Sequence, residues 1–462
     1  MDYKRLFNDA NILDIRTNIP WEFVRYPFWW KIRNLYVEYI KNELEKDSYE
    51  EWHFTDFLWK KWVEKMDNYI MSIKDKLYPI SNISSNWTKL GEYYLAPTHE
   101  ISVSEAMNRY IKYDYDLPIK LFHIWSAFRK QYNSSFPFWL SKRNTYIECH
   151  NIQKTKEWLY NQLDYIISIN KNILWDFLLL PYIESIRPYL TNNPVSKKTI
   201  WMDILTPMNK TLHAWMIYIQ EDIFTKVFWV EYYDINLKSK VNPYVIHYWF
   251  TDNLLMASII HWFNLGKWKK IILPHWLMPY HISITTIDND LTKFLSLFWI
   301  LKLNWFRFEI IKSFPFWHTK NKTIIQKLNI QNPYIHIKWI DALWFYTYRI
   351  IWENLRLKWN EETIIKIVDI LKEKRKNYME VKKIQILKDR IIETKNISEI
   401  NKLISEWYII DVYLQDDKNT ILSMEKFINW WEILWYRNCI LPWKCIFTWK
   451  KSLKKAYLSK RI

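Results

Sequence analysis

Between Trp30 and Leu44 the residues Ile32, Leu35, Tyr36, Tyr39 and Ile40 recur at the spacing of one helical face, so an amphipathic helix follows an extended segment ending near Pro27. Aromatic-rich runs at 93–95, 121–128 and 144–148 read as strands, the second being of a length that a helix also takes. From about Ile271 the pattern changes to short apolar runs, IILP, ISITT, RFEII and YIHIK, alternating with segments of helical length. That alternation predicts a small α/β domain. Its last helix carries Asn360 as N-cap, Glu361 and Glu362 in the first turn, and Ile364, Ile367, Val368 and Leu371 on one face. A charged stretch from Lys372 to Lys388 leads into a third unit that closes on KKSLKKAYLSKRI, a cationic tail whose plain reading is a solvated end. No internal repeat or low-complexity segment breaks this order.

Length and composition narrow the class. With 462 residues, 50% of them hydrophobic and 25% charged, the chain can bury a sizeable core in two or three domains. The N-terminus lacks the basic start, apolar run and cleavage site of a signal peptide, and no apolar run reaches about 18 residues. A cytoplasmic protein with no membrane span is the expectation. Cys149, Cys439 and Cys445 make neither a disulfide framework nor a closely spaced metal knuckle. The net charge of +17 favours a polyanionic partner such as nucleic acid, although the Lys- and Ile-rich composition of an AT-rich genome would give the same excess.

Two counts stand out, 2 Gly and 31 Trp. Glycine ordinarily supplies about 7% of a chain, about 32 residues at this length, so the two together match what glycine alone should give. We read most of the tryptophans as standing where glycine belongs, as when a gene that uses UGA for glycine is translated with UGA as tryptophan. Asn86-Trp87, Pro442-Trp443 and Trp430-Trp431 make better turns as Asn-Gly, Pro-Gly and Gly-Gly. A genuinely Trp-rich chain would leave too few residues able to take positive φ.

The most informative string is Tyr94-Leu95-Ala96-Pro97-Thr98-His99-Glu100, followed by Asp116-Leu117-Pro118, then Phe122-His123-Ile124-Trp125-Ser126-Ala127-Phe128-Arg129, and later Tyr146-Ile147-Glu148-Cys149-His150. In this order and spacing the chain resembles prolyl-tRNA synthetase of the archaeal and eukaryotic-like branch, a class II aminoacyl-tRNA synthetase. The likeness extends to Pro27 in the motif 1 region, to His261-Trp262 and KIILPHWLMPY before the anticodon-binding domain, and to Lys444-Cys445-Ile446-Phe447-Thr448 near the end. Taken alone, each piece has a bland reading: Pro-Thr-x-Glu as a turn with a helix cap, Arg129 as a salt-bridged surface residue, His150 as a satisfied core histidine.

The resemblance implies an antiparallel class II sheet flanked by helices at 1–268, an α/β anticodon-binding domain at 269–377 and a small C-terminal domain at 378–462, an α/β and α+β architecture. It implies activation of proline with ATP and Mg²⁺ to prolyl-adenylate, then transfer to tRNA(Pro), in a homodimer. Thr98, Glu100, Arg129, Tyr146, Glu148 and His150 would bind proline, with Arg129 also catalytic. Arg129, Gln131, His213, Thr251 and Asn253 would face ATP, and no protein-bound metal is expected. Chemically, Thr98 and Glu100 suit a secondary ammonium, and the Arg129 fork suits a carboxylate or phosphate.

Several positions depart from the family pattern. Gln131 stands where motif 2 has an acidic residue, Leu140, Lys142 and Arg143 occupy an Arg-x-Arg-Glu region, and His213-Ala214-Trp215-Met216-Ile217-Tyr218 replaces Gln-x-Gly-Thr-Ser-His, whereas Phe224, Lys226 and Phe228 keep the pattern. In motif 3, Asn253 replaces the arginine on the ATP phosphates, and by analogy with a removed oxyanion donor such a loss costs about 3 to 4 kcal/mol. Glycine misreading accounts for Trp215 and Trp249 but not for Asn253, Met216 or Tyr218. With Thr448 beside Cys445, a structural zinc at the C-terminus is not expected. The spacing between motifs 2 and 3 leaves no room for a large editing insertion. Beside a working synthetase stands a degenerate, non-catalytic paralogue that binds tRNA or regulates; a synthetase for another amino acid fits Thr98, Glu100, Glu148 and His150 less well.

Overall fold

The structure is a computed structural model that describes residues 7–14, 16, 22–64, 76–80, 84–85, 88–89, 92–130, 143–186, 196–205, 211–265, 270–286, 295–312, 319–340, 343–350, 353–357, 361–406, 408–415, 417, 420, 431–448 and 450–460. Two compact bodies result: residues 1–40, 177–179 and 255–383 form the first, and 41–176, 180–254 and 384–462 the second.

An eleven-stranded sheet dominates the second body. Its strands are β1 (Glu50–Glu51), β2 (Ile119–Phe128), β3 (Arg143–Gln153), β4 (Tyr182–Ile186), β5 (Lys198–Leu205), β6 (Thr211–Glu221), β7 (Tyr244–Thr251), β8 (Ile391–Glu393), β9 (Ile409–Tyr413), β10 (Trp431–Lys444) and β11 (Lys451–Lys460). They lie in the order β8-β9-β11-β10-β4-β5-β6-β7-β3-β2-β1. Pairing is antiparallel throughout except at the two ends, β8 with β9 and β1 with β2. The strand readings at 93–95, 121–128 and 144–148 all hold, and the long second run is β2, not a helix. Long alternating strands with one wet and one dry partner rarely fail to pair once a hairpin such as β2–β3 sets the register.

Helix Lys156–Asn172, capped by Thr155 accepting from the Trp158 amide, packs on β3 and β7. It buries Leu159, Leu163, Ile166 and Ile169. Helix Glu100–Tyr110 buries Ile101, Val103 and Met107 in a separate core with Leu121, Trp125, Phe224, Phe228 and Val245. The C-terminal segment is continuous with the large sheet: Ile186 on β4 pairs with Tyr436 on β10, and Ile183, Leu205 and Ile409 share one core with Ile386, Leu387 and Ile391. Cys445 is buried beside Ile400, Ile404, Val412 and Leu414.

In the first body, helix Pro27–Glu45, which reaches Ile40 within this body, buries Ile32, Tyr36 and Ile40, the face the spacing gives. Strands Phe308–Lys312, Ile282–Thr286 and Ile335–Ile340 run parallel, and Leu343–Ile350 and Glu353–Leu357 extend them antiparallel. Three of the four apolar runs are therefore strands. The IILP run is not: Ile271–Pro274 is buried coil, its Ile271 amide donating to Ile330 O and its Ile271 carbonyl accepting from Asn332 Nδ2, and Pro274 has no amide to continue a ladder. The helix that begins at Glu361 runs unbroken to Arg390, so the charged stretch is helical and not a linker. Asn360 lies outside the described residues.

The backbone speaks directly to the tryptophan excess. Trp229 and Trp305 have φ of 54° and 57°, a conformation in which a Cβ crowds the following carbonyl. Both sit at the residue that ends a helix. After helix Leu295–Leu303, Trp305 N donates to Lys302 O and Phe306 N to Leu301 O; after Ile223–Val227, Trp229 N donates to Lys226 O and Val230 N to Thr225 O. These paired bonds are the Schellman termination, whose left-handed residue is ordinarily glycine. Asn11 and Ser48 close two other such turns with small polar side chains, and an indole has no comparable excuse. Trp305 is 89% exposed and Trp229 57%, so little packing is lost on removing either ring. Trp305→Gly and Trp229→Gly are each expected to raise unfolding free energy by about 1 kcal/mol in urea titrations. A loss of stability in both would show that the rings are native.

Candidate active site

Pro97 and Thr98 end the turn that leads from strand Tyr93–Leu95 into helix Glu100–Tyr110. Glu100 is the first helical residue, where the N-terminal partial charge favours a carboxylate. The Thr98 hydroxyl accepts from the Glu100 amide at 3.4 Å and donates to its carboxylate at 3.3 Å. Thr98 therefore closes a local turn but does not cap the helix, whose N-cap residue is His99 with no side-chain cap bond, and the same turn points Glu100 inward, 1% exposed.

Opposite the helix, side chains alternate off β2, β3, β6 and β7. The register sets Glu148 across from His123 on β2 and Trp249 on β7, and His150 across from His247. Because successive residues face opposite sides of a sheet, His123, Trp125, Tyr146, Glu148, His150, His247, Trp249 and Thr251 share one face, while Cys149, Ile246, Tyr248 and Phe250 turn to the other.

His247 joins the two carboxylates. Its Nδ1 is 2.8 Å from Glu100 Oε1 and its Nε2 2.8 Å from Glu148 Oε1, all three groups being buried. Burial alone would strip the proton from His247, but the two flanking carboxylates overcome it and hold the imidazolium, its pKa pushed up to about 10. Burial likewise opposes charge on Glu148, and the surrounding His123, His150 and His247 outweigh it, keeping its carboxyl well below the usual range. His150 lies 3.6 Å from Glu148 and stacks on His247 at 4.6 Å between centroids; burial pushes it down to about 4, so it is neutral at pH 7. Gln220 Nε2 donates to Glu100 Oε1 at 2.8 Å. A water-sized cavity of about 20 Å³ lies beside Glu100, Ser104, His150, Gln220 and Thr225.

Aromatic rings wall the site. Tyr146 stacks on Trp125 at 5.7 Å and meets Trp249 edge-on at 6.4 Å, and Tyr218 lies 5.2 Å from Trp249. Arg129 leaves the end of β2 and donates from Nε to Pro97 O at 2.9 Å, so it is anchored to the loop that carries Thr98. Arg143 begins β3 directly across from Phe128, which sets two guanidinium-bearing residues at the connected end of one hairpin, where β2 leaves the sheet and β3 re-enters it.

Of the residues expected to bind proline, Thr98, Glu100, Glu148 and His150 converge, with Tyr146 on the wall and Arg129 at the adjoining strand end. Those expected to face ATP are more scattered. The Thr251 hydroxyl accepts from the Leu254 amide at 3.3 Å and so caps helix Asp252–Leu265, in which Asn253 is the second residue. His213 lies on β6 opposite Asp203, its side chain outside the described set, and Gln131 lies outside the described residues altogether. His247, Gln220 and His123 were not anticipated. A period-two reading of Val245, His247, Trp249 and Thr251 could have placed His247 on the polar face.

No family model matches the chain. Curated relatives include a proline–tRNA ligase of Methanopyrus kandleri, 25% identical over 288 residues (62% of this chain, 58% of the relative), and one of Methanocaldococcus jannaschii, 27% identical over 287 residues (62% of each). The chain thus matches about three fifths of the length of these relatives. Among solved structures, the prolyl-tRNA synthetase of Giardia lamblia, in complex with prolyl-adenylate, superposes with a TM-score of 0.85 at 15% identity over 99% of this chain and 97% of that one. That of Cryptosporidium parvum, complexed with halofuginone and AMPPNP, gives 0.83 at 15% identity over 100% and 97%. The fold is that of these solved prolyl-tRNA synthetases, and the sequence is similar at low identity to archaeal proline–tRNA ligases.

His247 also makes stability depend on pH in a stated direction. Its folded pKa is above the ordinary 6.5, so its contribution is complete below that value and is lost as pH rises through about 10. His247→Gln is therefore expected to be less stable than the parent at pH 7, with the gap closing toward pH 10, read from urea titrations across that range. A gap that stays constant or widens would remove the imidazolium from the account.

Proposed function

We propose that the chain is a prolyl-tRNA synthetase, which activates proline with ATP and passes the prolyl group to tRNA(Pro). The observation that carries this reading is the convergence of Thr98, Glu100, Glu148 and His150 in one buried acidic pocket with Arg129 anchored beside it. Proline presents a secondary ammonium, which two carboxylates and a hydroxyl can accept, and its ring fits an aromatic wall such as Tyr146 provides. In the first step a carboxylate oxygen of proline attacks the α-phosphorus of ATP and pyrophosphate leaves; in the second a tRNA ribose hydroxyl attacks the carbonyl and AMP leaves. Neither step needs a protein nucleophile. What the chain must supply is position and positive charge.

Arg129 and Arg143, at the connected end of the β2–β3 hairpin, are the residues suited to the nucleotide's phosphates, and Mg²⁺ bound with ATP would offset the remaining phosphate charge. The start of helix Asp252–Leu265 adds backbone N–H groups of the polarity that phosphate prefers. Asn253 there is neutral, which lowers the expected rate without removing the pocket. Trp249 sits next to Glu148 in the register and fills space between Tyr146 and Tyr218; glycine at that position would free the volume of an indole for substrate.

In this reading residues 1–268 catalyse, 269–377 bind the anticodon arm and 378–462 form the C-terminal appendix. The net charge of +17 serves contacts to the tRNA backbone, with steep salt dependence. A homodimer working in the cytoplasm completes the proposal; no helix among the described residues is long and apolar enough to cross a membrane.

The test is proline-dependent exchange of pyrophosphate into ATP, with tRNA charging in parallel, on the chain carrying glycine at Trp229, Trp249 and Trp305. Exchange is expected, with kcat/KM lowered about 100- to 1000-fold by Arg129→Ala and the KM for proline raised about tenfold by Thr98→Val. Absent exchange alongside retained tRNA binding would make the chain a non-catalytic paralogue.

A further inference from the structure

Two side chains of the pocket, Glu148 and His150, form a group with His123, a buried histidine to which the synthetase chemistry gives no role. His123, Glu148 and His150 are 1%, 3% and 3% exposed, and one ligand-type atom from each lies within 4.8 Å of the other two. Both ring nitrogens of His123 and Nε2 of His150 make no well-directed hydrogen bond, whereas Glu148 Oε1 is engaged by His247 Nε2 at 2.8 Å. An imidazole buried with neither nitrogen bonded is costly, because its hydration is lost and nothing replaces it. Position on the sheet explains how the three meet: His123 and Glu148 are register partners on β2 and β3, and His150 follows Glu148 on the same face.

Their spacing has a chemical meaning. His123 Nε2 is 3.5 Å from Glu148 Oε2, and His150 Nε2 is 3.6 Å from Glu148 Oε1. These are long for hydrogen bonds. Ligands about 2.0–2.1 Å from a tetrahedral ion are separated by about 3.3–3.4 Å, so a modest contraction would bring the group to coordination distance. Two imidazoles and one carboxylate suit Zn²⁺ and its neighbours and disfavour Mg²⁺, which selects oxygen. Three protein ligands also leave a fourth position for water or substrate. His247, facing Glu148 on one side and Glu100 on the other, would orient the ligating carboxylate from behind.

We propose that His123, Glu148 and His150 bind one transition-metal ion of the Zn²⁺ class, separate from the Mg²⁺ that accompanies ATP. The ion sits at the base of the pocket and shares Glu148 and His150 with it. This proposal does not require the aminoacylation reading.

The probe is Co²⁺ alone, added to the full chain after treatment with a chelator, with no ATP, proline or tRNA present. One Co²⁺ per chain with the visible ligand-field bands of a tetrahedral site is expected, and His123→Gln should weaken binding at least about tenfold. His281→Gln, a buried histidine of the other body, should leave the bands unchanged. Absence of the bands, or bands that His123→Gln leaves intact, would overturn the proposal. Should His123→Gln fail to fold, zinc K-edge absorption on the parent chain decides: two imidazoles and a carboxylate oxygen support the site, and sulfur ligation refutes it. Because pyrophosphate exchange is read separately, metal binding and synthetase activity can fail independently.

Discussion

The structure around the pocket depends on one imidazolium placed between two buried carboxylates. Glu100 comes from a helix N-terminus and Glu148 from the middle of the large sheet, and each is almost wholly out of water. Two uncompensated carboxylates so placed would repel each other and each would take up a proton. His247, 2.8 Å from both, removes that instability and fixes the helix start against β3 and β7. Gln220 adds a neutral donor to Glu100, so the carboxylate keeps its place without a second cation. An interior arranged in this way holds two carboxylates against one imidazolium, an excess of negative charge that the proposed substrate ammonium would complement.

Much of this was legible in the chain and some was not, for identifiable reasons. The helical face at Ile32, Tyr36 and Ile40 follows from spacing, because one buried face imposes one period, and the strands around Phe122 and Tyr146 follow from their aromatic richness. Thr98, Glu100, Glu148 and His150 were found through their order in the chain, which is why the pocket was half drawn before its geometry was known. His247 and His123 escaped because a single histidine in an apolar strand has the same local pattern whether it is a satisfied core residue or one corner of a charged cluster. Only the pairing of β2, β3 and β7 brings the corners together, and pairing is a long-range fact. The IILP run misled for the opposite reason: its apolar residues are buried, but Pro274 lacks an amide and no described strand pairs with the run, which is coil.

The tryptophans illustrate how different levels of structure constrain one position. Composition raises the question, because glycine is nearly missing, but composition cannot say where. Backbone geometry can, since a Schellman turn needs a left-handed residue at one defined place, and Trp229 and Trp305 both occupy it. Exposure then decides the matter energetically: a ring that touches little offers nothing to offset the crowding at its Cβ. Trp249 differs, because it packs on Tyr146 and Tyr218, so sterics at the backbone do not single it out. The argument there comes from function, from the room a ligand needs beside Glu148.

On the proposed reading the amino-acid end and the nucleotide end of the pocket differ in what the fold demands of them. The first is built from buried, mutually braced groups, and removing one member would strand the others in a low-dielectric interior. The second relies on cations at a strand end, where exposed charge contributes little to stability. Asn253 stands at such a position, at the second residue of a helix whose cap is already closed by Thr251. On the proposed reading the phosphate end can therefore vary without unfolding the chain, whereas the carboxylate and histidine core is held in place by the fold itself.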